Sequence, residues 1–240
     1  MARAMMNDLR VAFGLLTILP VRYGESISAR AFAYYPLVGL AIGLALTAAS
    51  LLLRIALPGL VAAALVVVLW VMLTGALHLD GFSDACDGLF AATTRERRLE
   101  ILRDVHLGAF GATGLALLLI TKVAAVASAS TLAPVLLAPV LGRWALVYAA
   151  AYPPARNEGM AVVFRAGLTR RIVFVATVTA AVICVVLGAY GVVAFVAALA
   201  MTTLIARIAL NRLGGLTGDI YGMICESVEV AVLVLGTAVV

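Results

Sequence analysis

A chain of 240 residues that is 65% hydrophobic and 12% charged, with a mean hydropathy of +1.17, lies outside the soluble globular range. Apolar runs of about 20 residues recur along most of its length and leave no room for a separate soluble domain. The net charge of +5 rests on 16 arginines and a single Lys122, which in a membrane protein speaks to orientation; no nucleic-acid partner is implied.

The first apolar run, "LRVAFGLLTILPV", ends at Pro20-Val21 without a small-residue cleavage site and is too short to cross comfortably. An interfacial or re-entrant helix held by Arg10 and Arg22 is expected there. Spans follow near 31–53, 55–77, 108–128, 131–152, 172–190, 191–210 and 226–240. The expected fold is therefore an all-α, polytopic transmembrane bundle of about six to eight spans, preceded by that interfacial helix. It forms one integral membrane domain over residues 1–240, and no internal repeat is evident.

Three polar connections interrupt the spans, at 78–107, 153–171 and 211–225. Arginines fall at 3, 10, 22 and 30, at 95, 97, 98 and 103, at 156, 165, 170 and 171, and at 207 and 212, which is 14 of the 17 basic residues. The spans put all of these segments on one side and only Arg54 on the other, and the positive-inside rule makes the arginine side cytoplasmic. Lys122 and Arg143 fall within spans, where a charge is costly and faces a partner or a wet cavity. Both are candidates for contact with an anion; snorkelling is the alternative for Lys122. Cys86, Cys184 and Cys225 form no paired motif and read as ordinary small residues.

Six of the twelve carboxylates lie between residues 80 and 104. Asp80, Asp84 and Asp87, spaced i, i+4, i+7, share one face of a helix. Two carboxylates ~6 Å apart repel by roughly 3 kcal/mol at an effective dielectric near 20, so the stack favours protonation or a bound cation. Oxygen ligands with Ser83 nearby suit Mg²⁺ or Mn²⁺; zinc is disfavoured, since His78 faces the other way and Cys86 is a lone thiol. The spacing also fails the EF-hand ladder. Glu96 and Glu100 instead pair with neighbouring arginines on a short surface helix.

In "RDVHLGAFGATG", Asp104 and His106 stand at the membrane edge, where either can accept a proton, ahead of Gly108, Gly111 and Gly114, whose spacing serves close helix packing. In "NRLGGLTGDIYGMICESVE", glycines including Gly218 surround Asp219, and such turns can cradle phosphate. Glu226, seven residues on, makes a second acidic arm plausible, with Glu229 at a helix entrance.

Together "FGLLTILPV", "YYPLVGLAIGL", "TGALHLDGFSDACDGLF", "RERRLEILRDVHLGAFG" and "GLTGDIYG" with Glu226 resemble the blocks of the cobalamin 5′-phosphate synthase family, the adenosylcobinamide-GDP ribazoletransferases, across almost the whole chain. Phe82 and Ser83 stand where Leu and Ala are expected, a conservative departure. The resemblance implies that adenosylcobinamide-GDP is joined to α-ribazole or its 5′-phosphate with release of GMP, with Mg²⁺ as cofactor, in a bacterial cytoplasmic (inner) membrane.

On that basis Asp80, Asp84, Asp87 and Asp219 are the expected metal ligands, with Asp104 the general base and His106 second to it. Arg95, Arg97, Arg98 or Arg103, together with Lys122 and Gly218, are expected to bind substrate phosphates. A homo-oligomer is left open. One rival is a lipid-making CDP-alcohol phosphotransferase, whose motif resembles D-x-x-D-G-x-x-A-R; here the glycine follows the first Asp and no Ala-Arg pair appears. The other is a cation transporter, which needs carboxylates deep within spans; the 31–53 and 172–210 spans carry none.

Overall fold

The computed structural model describes residues 2–21 and 29–238; Arg22, expected to help anchor the first helix, lies outside them. Helix α1 (Ala2–Leu16) leads through a 3₁₀ turn (Ala29–Tyr34) into α2 (Tyr35–Ala56) and α3 (Gly59–Thr74). Then come α4 (Leu77–Phe90), α5 (Arg95–Ile101), α6 (Ala109–Ser128) and α7 (Ala133–Ala149). Helices α8 (Met160–Ala166), α9 (Arg170–Val186), α10 (Gly188–Leu213) and α11 (Gly218–Ala238) complete the chain. No strand occurs among the described residues, so the expected all-helical class holds.

Four segments, Ala29–Ala56, α6, α10 and α11, are individually long and apolar enough to cross a membrane. Helix α3 qualifies together with α4, and α9 with α8, each pair bent through about a right angle (93° and 99°). The 17-residue α7 is shorter, at ~26 Å from its rise per residue. It is the hub of the bundle: Val135, Leu137, Val140, Leu141 and Trp144 are at most 1% exposed. Helices α2 and α7 run antiparallel at close quarters, Gly39 against Val140 and Gly43 against Leu136.

The two long connections, 75–108 and 150–169, and the short 214–217 turn therefore lie at one end with the arginines, and only short turns lie at the other. Arg54 marks that other end, its guanidinium donating to the Val126 carbonyl at 2.7 Å. The sequence places the last span too late. Helix α10 continues to Leu213, Gly214 in the left-handed region (φ 76°) closes it, and α11 starts at Gly218, so the expected 211–225 connection shrinks to four residues. Asp219, Glu226 and Glu229 lower the hydropathy of this helix without excluding it from the bundle.

The reason is an internal ion network. Lys122 Nζ of α6 lies 2.5 Å from both Glu226 Oε2 and Glu229 Oε2 of α11, and Arg143 of α7 donates to Glu229 Oε1. Lys122 Nζ also sits 4.4 Å from the Trp70 ring centroid of α3. Two cations face two carboxylates with no net charge, so burial is tolerated. The structure thus corrects three expectations: Lys122, at 3% exposure, is occupied internally rather than offered to a substrate anion, Glu226 is not a second acidic arm, and Glu229 lies deep in a helix.

At the opposite edge of α11, Gly222 meets Gly81 of α4. A Cβ on Gly222 would stand 2.7 Å from the His78 carbonyl oxygen and 3.0 Å from the Gly81 Cα, both backbone atoms that cannot swing away. Gly222→Val is expected to wedge α4 from α11 at a cost of about 1–3 kcal/mol. Thermal unfolding in detergent reads it; an unchanged midpoint would show that the two helices part freely.

Candidate active site

Helix α3 stops at Thr74 because Gly75 (φ 60°) and Ala76 (φ 58°) both adopt the left-handed region, which turns the chain through 93° into α4. Helix α4 consequently lies across the starts of α6 and α11. One face of it, with His78, Leu79, Ala85, Cys86 and Leu89, is buried in the bundle. Asp80 is exposed on the other, with Asp84 and Asp87 half-buried, as the i, i+4, i+7 spacing predicts.

The close Gly81–Gly222 contact brings α11 alongside: a Cβ on Gly81 would meet the Asp219 Cα at 3.1 Å. Burial, then Asp80, Asp219 and Asp87 in that order, push the Asp84 carboxyl up to about 6. Four carboxylates from two helices thus act on one another, and Asp219 is steadied by the Thr217 hydroxyl, which donates to its Oδ2 at 3.0 Å.

Asp87 has a further task. Its Oδ2 accepts from the Gly108 amide at 2.8 Å and its Oδ1 from the Gly111 amide at 2.9 Å, so it caps the N-terminus of α6. Gly108 and Gly111 are required there, because a Cβ on Gly111 would meet the Ser83 Oγ at 2.6 Å. The expected grouping of Asp80, Asp84 and Asp87 around one ion is therefore modified: Asp87 is turned to the helix end. Among the described residues no group of three or more His, Cys, Asp or Glu is gathered closely enough to hold a metal by itself. Mg²⁺ makes no such demand, since it is held through one or two carboxylates plus water and substrate phosphates, and the all-oxygen donor set of Asp80, Asp84 and Asp219 fits it.

Asp104 and His106 lie in the connection that enters α6. His106 Nδ1 is 2.6 Å from Asp104 Oδ1, and the His106 amide also donates to that oxygen, at 3.1 Å. These hydrogen bonds hold the Asp104 carboxyl below its ordinary range, which makes it a weaker base than the sequence reading assumes. In the tautomer that donates Nδ1–H to the Asp104 carboxylate, the imidazole presents Nε2 as its free acceptor.

The arginines expected to clamp phosphate are largely committed to the backbone. Arg98 Nη1 donates to the Gly88 and Leu89 carbonyls, at 3.1 and 2.5 Å, and Arg212 also reaches Leu89, so both cap the C-terminal end of α4. Arg95 donates to the Leu213 and Ala155 carbonyls at 2.8 and 3.1 Å, and Arg103 pairs with Glu158 at 2.5 Å. Arg97 pairs with Glu100 at 2.7 Å on the surface, the partnership the sequence predicts for α5. Sequence reasoning overlooked Arg156: its Nη2 donates to the Leu99 carbonyl at 2.6 Å, its Nε has no partner, and Asp219 is among the charges acting on it. It was one arginine among many in a loop, with no local signal to single it out.

Beside Asp80 and Asp219 opens a cavity of about 340 Å³ between α1, α4, α8 and α11. Tyr35, His78, Phe164, Gly218 and Tyr221 contribute to its wall. Tyr35 and Tyr221 sit in the distinctive segments "YYPLVGLAIGL" and "GLTGDIYG", but nothing local marks them as lining residues.

An all-helical bundle with a carboxylate-rich mouth at its arginine end defines a polytopic membrane protein. More narrowly, the family model described as Cobalamin-5-phosphate synthase matches residues 8–237, and the chain belongs to that family. It is 41% identical over 230 residues to the adenosylcobinamide-GDP ribazoletransferase of Roseiflexus sp. (strain RS-1), covering 92% of this chain and 86% of that one. It is also 41% identical over 231 residues to that of Deinococcus radiodurans, covering 94% and 83%. Identity to the protein of the same name from Stutzerimonas stutzeri is 40% over 239 residues, covering 95% and 97%. No solved structure matches the chain.

Proposed function

We propose that this protein is an adenosylcobinamide-GDP ribazoletransferase, which joins adenosylcobinamide-GDP to α-ribazole or its 5′-phosphate. The observation that carries the reading is family membership along nearly the whole chain, together with four aspartates of α4 and α11 at one end of the bundle. A ribose hydroxyl oxygen of the acceptor attacks the phosphorus nearer the cobinamide, the bond from that phosphorus to the GMP oxygen breaks, and the hydroxyl proton passes to a base. Asp80, Asp84 and Asp219 would hold Mg²⁺, which when bound would supply positive charge to offset that of the diphosphate and of the departing GMP. Asp87 fixes α4 against α6, so that the other three carboxylates keep their relative positions.

The base is His106 through Nε2, oriented by Asp104, which reverses the order of the sequence reading. Arg156 offers its unpartnered Nε to a substrate phosphate. The site faces the cytoplasm of the bacterial inner membrane, a reading supported by the arginines at that end and Arg54 alone at the other. Against the lipid-synthase alternative stands the motif departure, and against the transporter stands the neutral pairing of Lys122 and Arg143 with Glu226 and Glu229, the acids buried in spans.

Purified protein in proteoliposomes, incubated with adenosylcobinamide-GDP, α-ribazole and Mg²⁺, is expected to release GMP in step with corrinoid product. Chelation with EDTA is expected to stop the release, and Mg²⁺ to restore it. Turnover unaffected by EDTA removes the metal from the mechanism; absence of GMP release removes the assignment.

A further inference from the structure

We infer that the cavity between α1, α4, α8 and α11 is the acceptor subsite, which takes the flat nitrogen-heteroaromatic base of the nucleoside and leaves its ribose facing Asp80 and Asp219. This rests on the transferase reading above and extends it by assigning one of the two substrates to a place.

Size separates the candidates first. A volume of about 340 Å³ lies at the small end of ligand pockets, suited to a nucleoside and far too small for a corrinoid. Its wall is aromatic: the Phe164 ring lies 5.4 Å from Tyr221 and 6.4 Å from Tyr35, centroid to centroid, with interplanar angles of 57° and 77°. Such a set offers ring faces and edges to a planar guest.

Polar groups in the same wall favour a heteroaromatic over a hydrocarbon. Tyr35 Oη, Tyr221 Oη and His78 Nδ1 have no hydrogen-bond partner although their residues are only 1%, 3% and 5% exposed. Buried polar groups are nearly always partnered, so three unmatched ones around one cavity call for a guest with donors and acceptors of its own. A lipid chain would leave all three unmatched and set methylenes against two carboxylates. A nucleoside supplies a ring nitrogen and sugar hydroxyls, and Asp80 and Asp219 lie where a hydroxyl must stand to meet the diphosphate.

Full-length protein in nanodiscs, titrated with α-ribazole alone, tests the assignment. Tyr35→Phe and Tyr221→Phe are each expected to weaken binding about 3- to 10-fold. Each should raise the KM for α-ribazole by a similar factor and leave the KM for adenosylcobinamide-GDP unchanged. The ligand-free unfolding midpoint should stay level or rise, because the hydroxyl removed has no partner to lose. Gly218→Leu, whose Cβ meets only the Met160 Cβ at 3.8 Å, should obstruct the cavity and abolish α-ribazole binding. Wild-type affinity in all three variants, or a fall in midpoint that accounts for the weaker binding, overturns the subsite while leaving GMP release by the parent protein intact. A parent protein that releases no GMP overturns the transferase reading instead.

Discussion

Asp84→Asn is expected to slow GMP release by about 10²- to 10³-fold, the scale on which removal of one preorganised electrostatic group acts, while the protein still inserts and folds. The isosteric amide keeps the shape of α4 and deletes the charge at the centre of the acidic group, so the loss should fall on turnover. The same variant carries a signature in stability. Because burial, and after it Asp80, Asp219 and Asp87, raise the Asp84 carboxyl to about 6 in the folded protein, the native state holds a proton there that the unfolded state, titrating near 4, does not. Between those two values the native state binds more protons, and stability from this group falls as pH rises. Ligand-free protein should therefore unfold at a higher temperature at pH 5 than at pH 7 through this contribution, and Asp84→Asn should flatten the difference. Equal pH slopes in parent and variant would place the repulsion elsewhere.

Glu229→Gln is expected to be the most damaging single change in the bundle, at about 3–5 kcal/mol, because it leaves buried cations without their counter-charge. Glu229 is 0% exposed and is the one carboxylate that Lys122 and Arg143 share. The informative comparison is with Lys122→Met combined with Glu226→Gln, which removes one charge of each sign and keeps the Arg143–Glu229 pair. That double variant should be more stable than either of its single parents, a coupling that unfolding in detergent can measure as a double-mutant cycle. Additive losses would mean that the four side chains do not act as a unit.

These two sites differ in how far they can be read before folding. The aspartates of α4 are legible, because i, i+4, i+7 spacing is a local property of one helix, and so is the alternation of arginine-rich and arginine-poor connections that orders the spans. What joins α4 to α11 is not local. Gly81 and Gly222 are ordinary glycines in the sequence, and only the packed bundle shows that their backbones touch. Lys122 is the clearest case: its partners lie 104 and 107 residues away, so in isolation a charge in a span reads equally well as a ligand for a substrate anion. Arg98 misled for a related reason, since a basic residue that caps the end of a helix looks in sequence like one that grips phosphate. The pairing of Asp104 with His106 could not be read either, because it is a side-chain hydrogen bond across two residues of irregular backbone.

Helix α6 is clasped at three depths: by Asp87 at its first turn, by Glu226 and Glu229 through Lys122 midway, and by Arg54 through the Val126 carbonyl near its far end. A strut fastened in this way fixes the separation between the Arg54 contact and the aspartates some 25–30 Å away, by the ~1.5 Å rise of each residue.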